Sequence, residues 1–289
     1  MNNPKTKISQ TELEFIKESR AFLENESILL KIANVVGKPI DYVHKNLPVK
    51  AKKVVDSSVK KAMITSLKLA GKTMSDNSEE KTFAQGLDSV GKKRILHNSL
   101  AGLSGGVGGF FGGIGLLFDL PITTTIMMRK IASIAQGYGF SLKDPEMPFE
   151  CLSIFALGSQ KSDHDDEMDS AYYSGRIAMQ TLIKEAASFV AAHSAQIVLE
   201  SIEKGTAPIL LRFIARIAAM FEVAVTEKIL AEAIPVVGAF GGAAINVAFT
   251  DYFGQAAKYH FGLKKLEQTY GQDKIQKIYS EIKLDSKKD

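Results

Sequence analysis

Apolar positions recur at helical spacing along almost the whole chain. Ser9 and Thr11 precede Glu12 and Glu14 at capping-box spacing, which starts a helix. The helical period over 11–36 stops at Gly37, with Pro39 just beyond. A second helix starts near Pro48, with Asn46 as its cap. Its apolar stripe runs Val55, Val59, Met63, Leu67, Ala70, while Lys53, Lys60, Lys61 and Lys68 fall on other faces. The polar run 73–82 reads as a loop, and a helix through Lys92, Lys93 and Arg94 then leads into a glycine tract. Pro121 disfavours helical geometry in its predecessor, so the tract is expected to end at Asp119-Leu120. A further helix is expected from Ile122 to about Gln136, stopping at Gly137-Tyr138-Gly139. Residues 141–148, with Pro145 and Pro148, form a loop before a short helix over 149–157 closed by Gly158. After the charged loop 159–169, helices are expected over 170–202, 208–233, 241–270 and 272–282. Alternating strand patterns with hairpin turns are missing, so the fold class is all-α.

The glycine tract is the strongest local signal. Residues 101–115 read AGLSGGVGGFFGGIG, eight glycines in fifteen positions. Gly105, Gly109 and Gly113 share one helix face, the arrangement that lets two helices touch along their backbones. Each glycine in a helix costs about 1 kcal/mol against alanine, so a lone solvated helix is excluded and close packing or lipid must offset the loss. A weaker copy lies at 233–251, where Gly238 and Gly242 are four apart. Gly109-Phe-Phe-Gly112-Gly113 aligns with Gly238-Ala-Phe-Gly241-Gly242, and Asp119 and Tyr138-Gly139 align with Asp251 and Tyr270-Gly271 after a short insertion. Two readings stand: an internal duplication whose glycine helices pack together, or chance matching of an abundant residue. The expected architecture is a multi-helix bundle around two glycine-rich apolar helical hairpins. Both apolar runs are long enough to span a bilayer, but glycine and alanine add little transfer energy. A buried or surface-inserting hairpin is therefore favoured over a span.

Composition narrows the classes. The 289 residues are 45% hydrophobic, enough for a large core, and the net charge is +4. That excess is too small to point to nucleic acid, and no basic stripe is interleaved with aromatics. It suits an anionic membrane surface. The first fifteen residues lack an apolar core, so no signal peptide is expected. The single cysteine, Cys151, sits in an apolar run and reads as buried and inert.

A few polar residues interrupt the apolar sequence. Asp119 is placed to cap the helix expected from about Pro121, or to pair with an interior base such as Arg129. Asp251, His260 and Glu267 lie along the last long helix, as an acid/base face or as a hydrogen-bond network. HxxxH and HExxH are absent, so no metal site is expected there. Tyr172 and Arg176 are helix neighbours, with Glu150 or an anionic headgroup as the partner for Arg176. The acidic run 163–167 lacks the glycine and spacing of a calcium loop. No phosphate-binding loop, nucleophile elbow or cofactor motif is present.

At these residues the chain resembles the EcsC protein family. The resemblance rests on FDLPITTTIMMRKIA (118–132), PFECLSIFALG (148–158), AYYSGR (171–176), IPVVGAFGGAAINVAFTDYF (234–253) and YHFGLKKLE (259–267). Together these cover roughly 85–271, which divides the chain into an N-terminal helical arm, 1–84, and an EcsC-like domain, 85–289. The family is named for a bacterial protein encoded beside the components of an ABC transporter, and its activity is undefined. The resemblance therefore implies a bacterial, membrane-associated helical domain and supplies no catalytic residue. The positions matching its motifs are Asp119, Arg129, Glu150, Tyr173, Arg176, Asn246, Asp251, His260 and Glu267. Gln268 stands where the family pattern leads one to expect arginine.

The functional expectation is a non-catalytic protein on the inner, cytoplasmic face of the cell membrane. Its partner would be the membrane surface or a membrane protein such as a transporter. The basic helix 48–70 and Lys92-Lys93-Arg94 would touch anionic headgroups. The alternatives are a hydrolase with an apolar, lipid-like pocket and a membrane-permeabilising effector.

Overall fold

The computed structural model describes residues 7–25, 49–71, 81–91, 112–159, 170–232 and 238–282. Every regular element among them is a helix, as the periodicity requires. In chain order these are α1 (Gln10–Asn25), α2 (Val49–Gly71), α3 (83–91), α4 (Gly112–Gly137), α5 (Met147–Ser153), a 3-10 turn (Ile154–Ser159), α6 (Ala171–Ala192), α7 (Ala195–Lys204), α8 (Pro208–Glu232), α9 (Gly238–Tyr270) and α10 (Gln272–Glu281).

Local chemistry fixes the start of α1 as expected. The Ser9 amide donates to Glu12 Oε2 at 2.8 Å, and the Glu12 amide donates back to Ser9 Oγ at 3.2 Å. This reciprocal pair satisfies two otherwise orphaned backbone donors. The helix expected over 11–36 is described only to Asn25; residues 26–48 lie outside the described residues.

Two boundaries differ from the sequence expectation. No helix begins at Pro121: α4 runs through it, from Gly112 to Gly137. Asp119 is thus inside a helix and not at its start, so the capping role has no helix end to act on. The threonine run after the proline bonds back to the turn. Thr124 Oγ1 donates to the Leu120 carbonyl at 2.6 Å and Thr125 Oγ1 to the Pro121 carbonyl at 2.8 Å. Such bonds occupy backbone acceptors where a proline disturbs the helix. The helix expected over 170–202 is two helices, because Ser194 breaks it and caps the second: the Ile197 amide donates to Ser194 Oγ at 3.4 Å.

Helix α9 is the central rod, packed by α1, α4, α8, α10 and the 3-10 turn. α2 lies against α4, α5 and α8. Its buried side is Val55, Val59, Ala62 and Met63, which leaves Lys50, Lys53, Lys61 and Lys68 exposed. One core joins residues from all the larger helices, so burial ties α1 and α2 to the rest. Where α9 meets α1 and α4 it carries Gly262. A Cβ there would stand 2.3 Å from Phe15 Cζ and 3.0 Å from the Tyr138 hydroxyl. Only a residue without a side chain lets those rings approach the rod.

The helices α4 and α9 do pack together. Gly113 lies at the start of α4, and Gly238 and Gly242 at the start of α9. Gly105 and Gly109 lie outside the described residues. Both helices close on Tyr-Gly, with Gly139 at φ 87° and Gly271 at φ 92°, backbone that a side chain would strain. Among the described residues no helix is long and apolar enough to cross a membrane.

A buried ionic cluster between helices 5, 6 and 9

His260, Lys264 and Glu267 project from one face of α9, being four and three residues apart. Facing them are Glu150 from α5 and Tyr172, Tyr173 and Arg176 from α6. The orientation of α6 is set at its first turn. Ser170 caps it, accepting from the Tyr173 amide at 3.2 Å, and donates its own hydroxyl to Glu24 of α1. Glu24 Oε1 also accepts from the Tyr172 amide at 3.4 Å and from the Tyr279 hydroxyl of α10 at 3.2 Å. A carboxylate is favoured at a helix N-terminus, and this one turns both tyrosines toward α9.

The cluster contains two linked sets. In the first, the Tyr172 hydroxyl stands 3.0 Å from His260 Nδ1, and His260 Nε2 stands 3.0 Å from Glu150 Oε2. Lys264 Nζ holds the other Glu150 oxygen. In the second, Arg176 grips Glu267 in bidentate fashion at 2.6 Å and 2.6 Å, and the Tyr173 hydroxyl donates to Glu267 Oε1 at 2.8 Å. The rings of Tyr172 and Tyr173 meet edge to face with centroids 5.0 Å apart, joining the sets. Glu150, His260 and Glu267 are 5%, 2% and 8% exposed, so these are interior charges.

Burial dictates the protonation states. It pushes the His260 imidazole below its ordinary value, and the nearby Arg176 and Lys264 cations push the same way, against the pull of Glu150. A neutral ring fits the geometry: Nε2–H donates to Glu150 while Nδ1 accepts from Tyr172. For Glu150, burial alone would raise the carboxyl. The His260 hydrogen bond and the Lys264 charge outweigh it and hold the group well below the usual carboxylate range. Burial keeps Tyr172 and Tyr173 neutral, far above the usual phenol range, and Cys151 a protonated thiol.

The cluster borders a small cleft of about 30 Å³, walled by Met179, Ile183 and Met220, with Glu150, Arg176 and His260 at its polar side. That is room for about one or two water molecules. Carboxylate, imidazole and hydroxyl in series have the form of a general-base relay. Here the hydroxyl is a buried phenol, and both imidazole nitrogens are engaged. Ser153, also on the cleft wall, donates to the Glu150 carbonyl at 2.7 Å. The arrangement orients charges and leaves the base no nitrogen for a substrate.

A family model for the EcsC protein family matches residues 10–266. The chain belongs to the EcsC protein family. No curated protein and no solved structure matches it. Of the positions at which the sequence resembles the family, this EcsC family chain gathers Glu150, Tyr173, Arg176, His260 and Glu267 into the cluster. Arg176 pairs with Glu267 and not with Glu150, because His260 and Lys264 already fill the Glu150 oxygens. Asp251 stands apart, 3.9 Å from the buried Lys130 ammonium, and Asn246 is buried farther up α9. Arg129 is exposed; the interior base is its neighbour Lys130, whose stem lies over Gly254. The side chain of Asp119 lies outside what is described. Asp251, His260 and Glu267 therefore have separate partners and do not converge on one catalytic centre. Lys264 was legible as a helix neighbour of His260, four residues on. Nothing in the sequence signalled Glu24, which reaches the cluster from a helix far away in the chain.

Among the described residues no group of three or more metal-ligating side chains is gathered.

Proposed function

We propose that this EcsC family protein is a non-catalytic, membrane-associated helical protein that docks on an anionic membrane surface through α2. The observation that carries this reading is the polarity of α2. Its apolar side is spent on the core, while Lys50, Lys53, Lys61 and Lys68 are left to solvent with Asp56 the acid among them. Lys50, Lys61 and Lys68 fall nearly in line, given 3.6 residues per turn. A row of ammonium groups on a rigid rod meets a plane of phosphates at about 1 kcal/mol per lysine. The saturated state of the buried cluster supports a structural role for it. The glycine-rich segments supply apolar hairpins that rest in the core and open toward lipid or a membrane protein, a transporter component included. The site of action is the inner face of a bacterial cell membrane.

The test is sedimentation with vesicles. Strong binding is expected to vesicles containing phosphatidylglycerol and weak binding to pure phosphatidylcholine, with release by salt. Replacing Lys50, Lys53 and Lys61 together by glutamine should weaken anionic binding by about 100-fold. Equal binding to both vesicle types removes the reading. Dye leakage from the vesicles would instead favour the permeabilising alternative. The hydrolase alternative draws on the His260–Glu150 pair at the cleft wall, and lipid hydrolysis lost on His260→Gln would favour it.

A further inference from the structure

A groove of about 520 Å³ opens where the end of α2, the 142–148 segment and the α6–α7 junction meet. This falls within the roughly 300–1,000 Å³ of small-molecule sites. Its walls are apolar: Leu67, Leu142, Pro148, Val190, Val198 and Leu199. Leu142 and Val198 are 5% and 2% exposed, so the floor is part of the fixed core. The exposed rim carries Lys68, Lys143 and His193, with Asp144 as its acid. Asp144 Oδ1 accepts from the Glu146 amide at 3.0 Å and serves the turn. His193 Nδ1 donates to the Phe189 carbonyl at 2.8 Å, and its ring stacks on Phe189 at 4.2 Å, which holds it at the rim.

We infer that this groove takes up a long-chain carboxylate, its hydrocarbon along the apolar wall and its head beside Lys68 and Lys143. A small hydrophilic anion would leave the wall wet. A neutral amphiphile would leave the rim lysines unanswered. A chain with one anionic end satisfies both parts of the lining. Lys68 belongs to the same line of α2 lysines that is proposed to face the membrane, so the mouth adjoins that surface. The placement at lipid rests on that reading; binding from solution does not.

The probe is cis-parinaric acid, whose fluorescence rises in an apolar site, titrated into the full chain. Saturable binding at one site is expected, with oleate displacing the probe at least about tenfold better than oleyl alcohol. Ala195→Trp, at an exposed alanine on the groove wall, should lower affinity about tenfold or more by filling it. Lys68→Glu, at an exposed site, should lower it about fivefold or more without touching the wall. Non-saturable partition, equal displacement by the alcohol, or affinity indifferent to both variants would overturn the inference. So would a dimer in light scattering that Ala195→Trp dissociates, since the groove would then hold a second copy. Loss of vesicle binding by the Lys50, Lys53 and Lys61 variant, with probe binding intact, separates the two proposals.

Discussion

Two regions of this molecule carry charge in opposite ways. Between α5, α6 and α9, ions are sunk in the core and each has its counter-ion or hydrogen bond within about 3 Å. Along α2, lysines stand in water above an apolar stripe. The first arrangement is costly to disturb, because a buried charge that loses its partner cannot be rehydrated. The second costs little to change, because exposed charges contribute little to stability. The buried set therefore specifies how three helices meet, and the exposed set is what remains available to a partner.

The sharpest way to break this contrast is Glu267→Ala. It strands the Arg176 guanidinium in the interior and should cost about 3–5 kcal/mol in urea unfolding. The double change with Arg176→Met should recover part of that loss; no recovery would mean the pair is not the source. Acid comes next. His260 titrates in the folded protein below its ordinary value, so the unfolded chain takes up the proton first. Its contribution is complete above about pH 6.5 and is lost as pH falls toward the lowered value. Glu150, also held low, adds a further loss below about pH 4.5. Melting temperature should fall with acidification, and His260→Gln should flatten the first part of that fall. Ser170→Ala removes the α6 cap and its link to Glu24, worth about 1 kcal/mol. At the small end, Lys50→Gln, Lys53→Gln and Lys61→Gln should each change stability by no more than about 0.5 kcal/mol, while together abolishing vesicle binding. A large loss of stability from these three would mean that α2 holds the fold through its lysines, and the contrast would fail.

Much of the fold was legible from spacing. The Ser9–Glu12 box, the stripe Val55-Val59-Met63 and the Tyr-Gly helix ends are short-range features, and they occur as read. Pro121 misled because its local preference was weighed without the tertiary packing that carries α4 through it. Ser194 was missed because a cap within a helical pattern resembles any surface serine. For the cluster, the family resemblance pointed to Glu150, Tyr173, Arg176, His260 and Glu267, but not to who holds whom. Arg129 and Lys130 show the limit: adjacent bases differ by about 100° around a helix, and only the packed neighbours decide which one is interior.

The sequence by itself determined the helical class, the family and which residue types interrupt the apolar faces, because periodicity and caps act over a few residues. Tertiary structure alone decided that Glu24, Glu150, Tyr172 and His260 share one neighbourhood and that Asp251 stands outside it. Partners so far apart in the chain have no local signal. They are selected by the cost of leaving a charge dry and alone, and that cost exists only once the helices have closed around it.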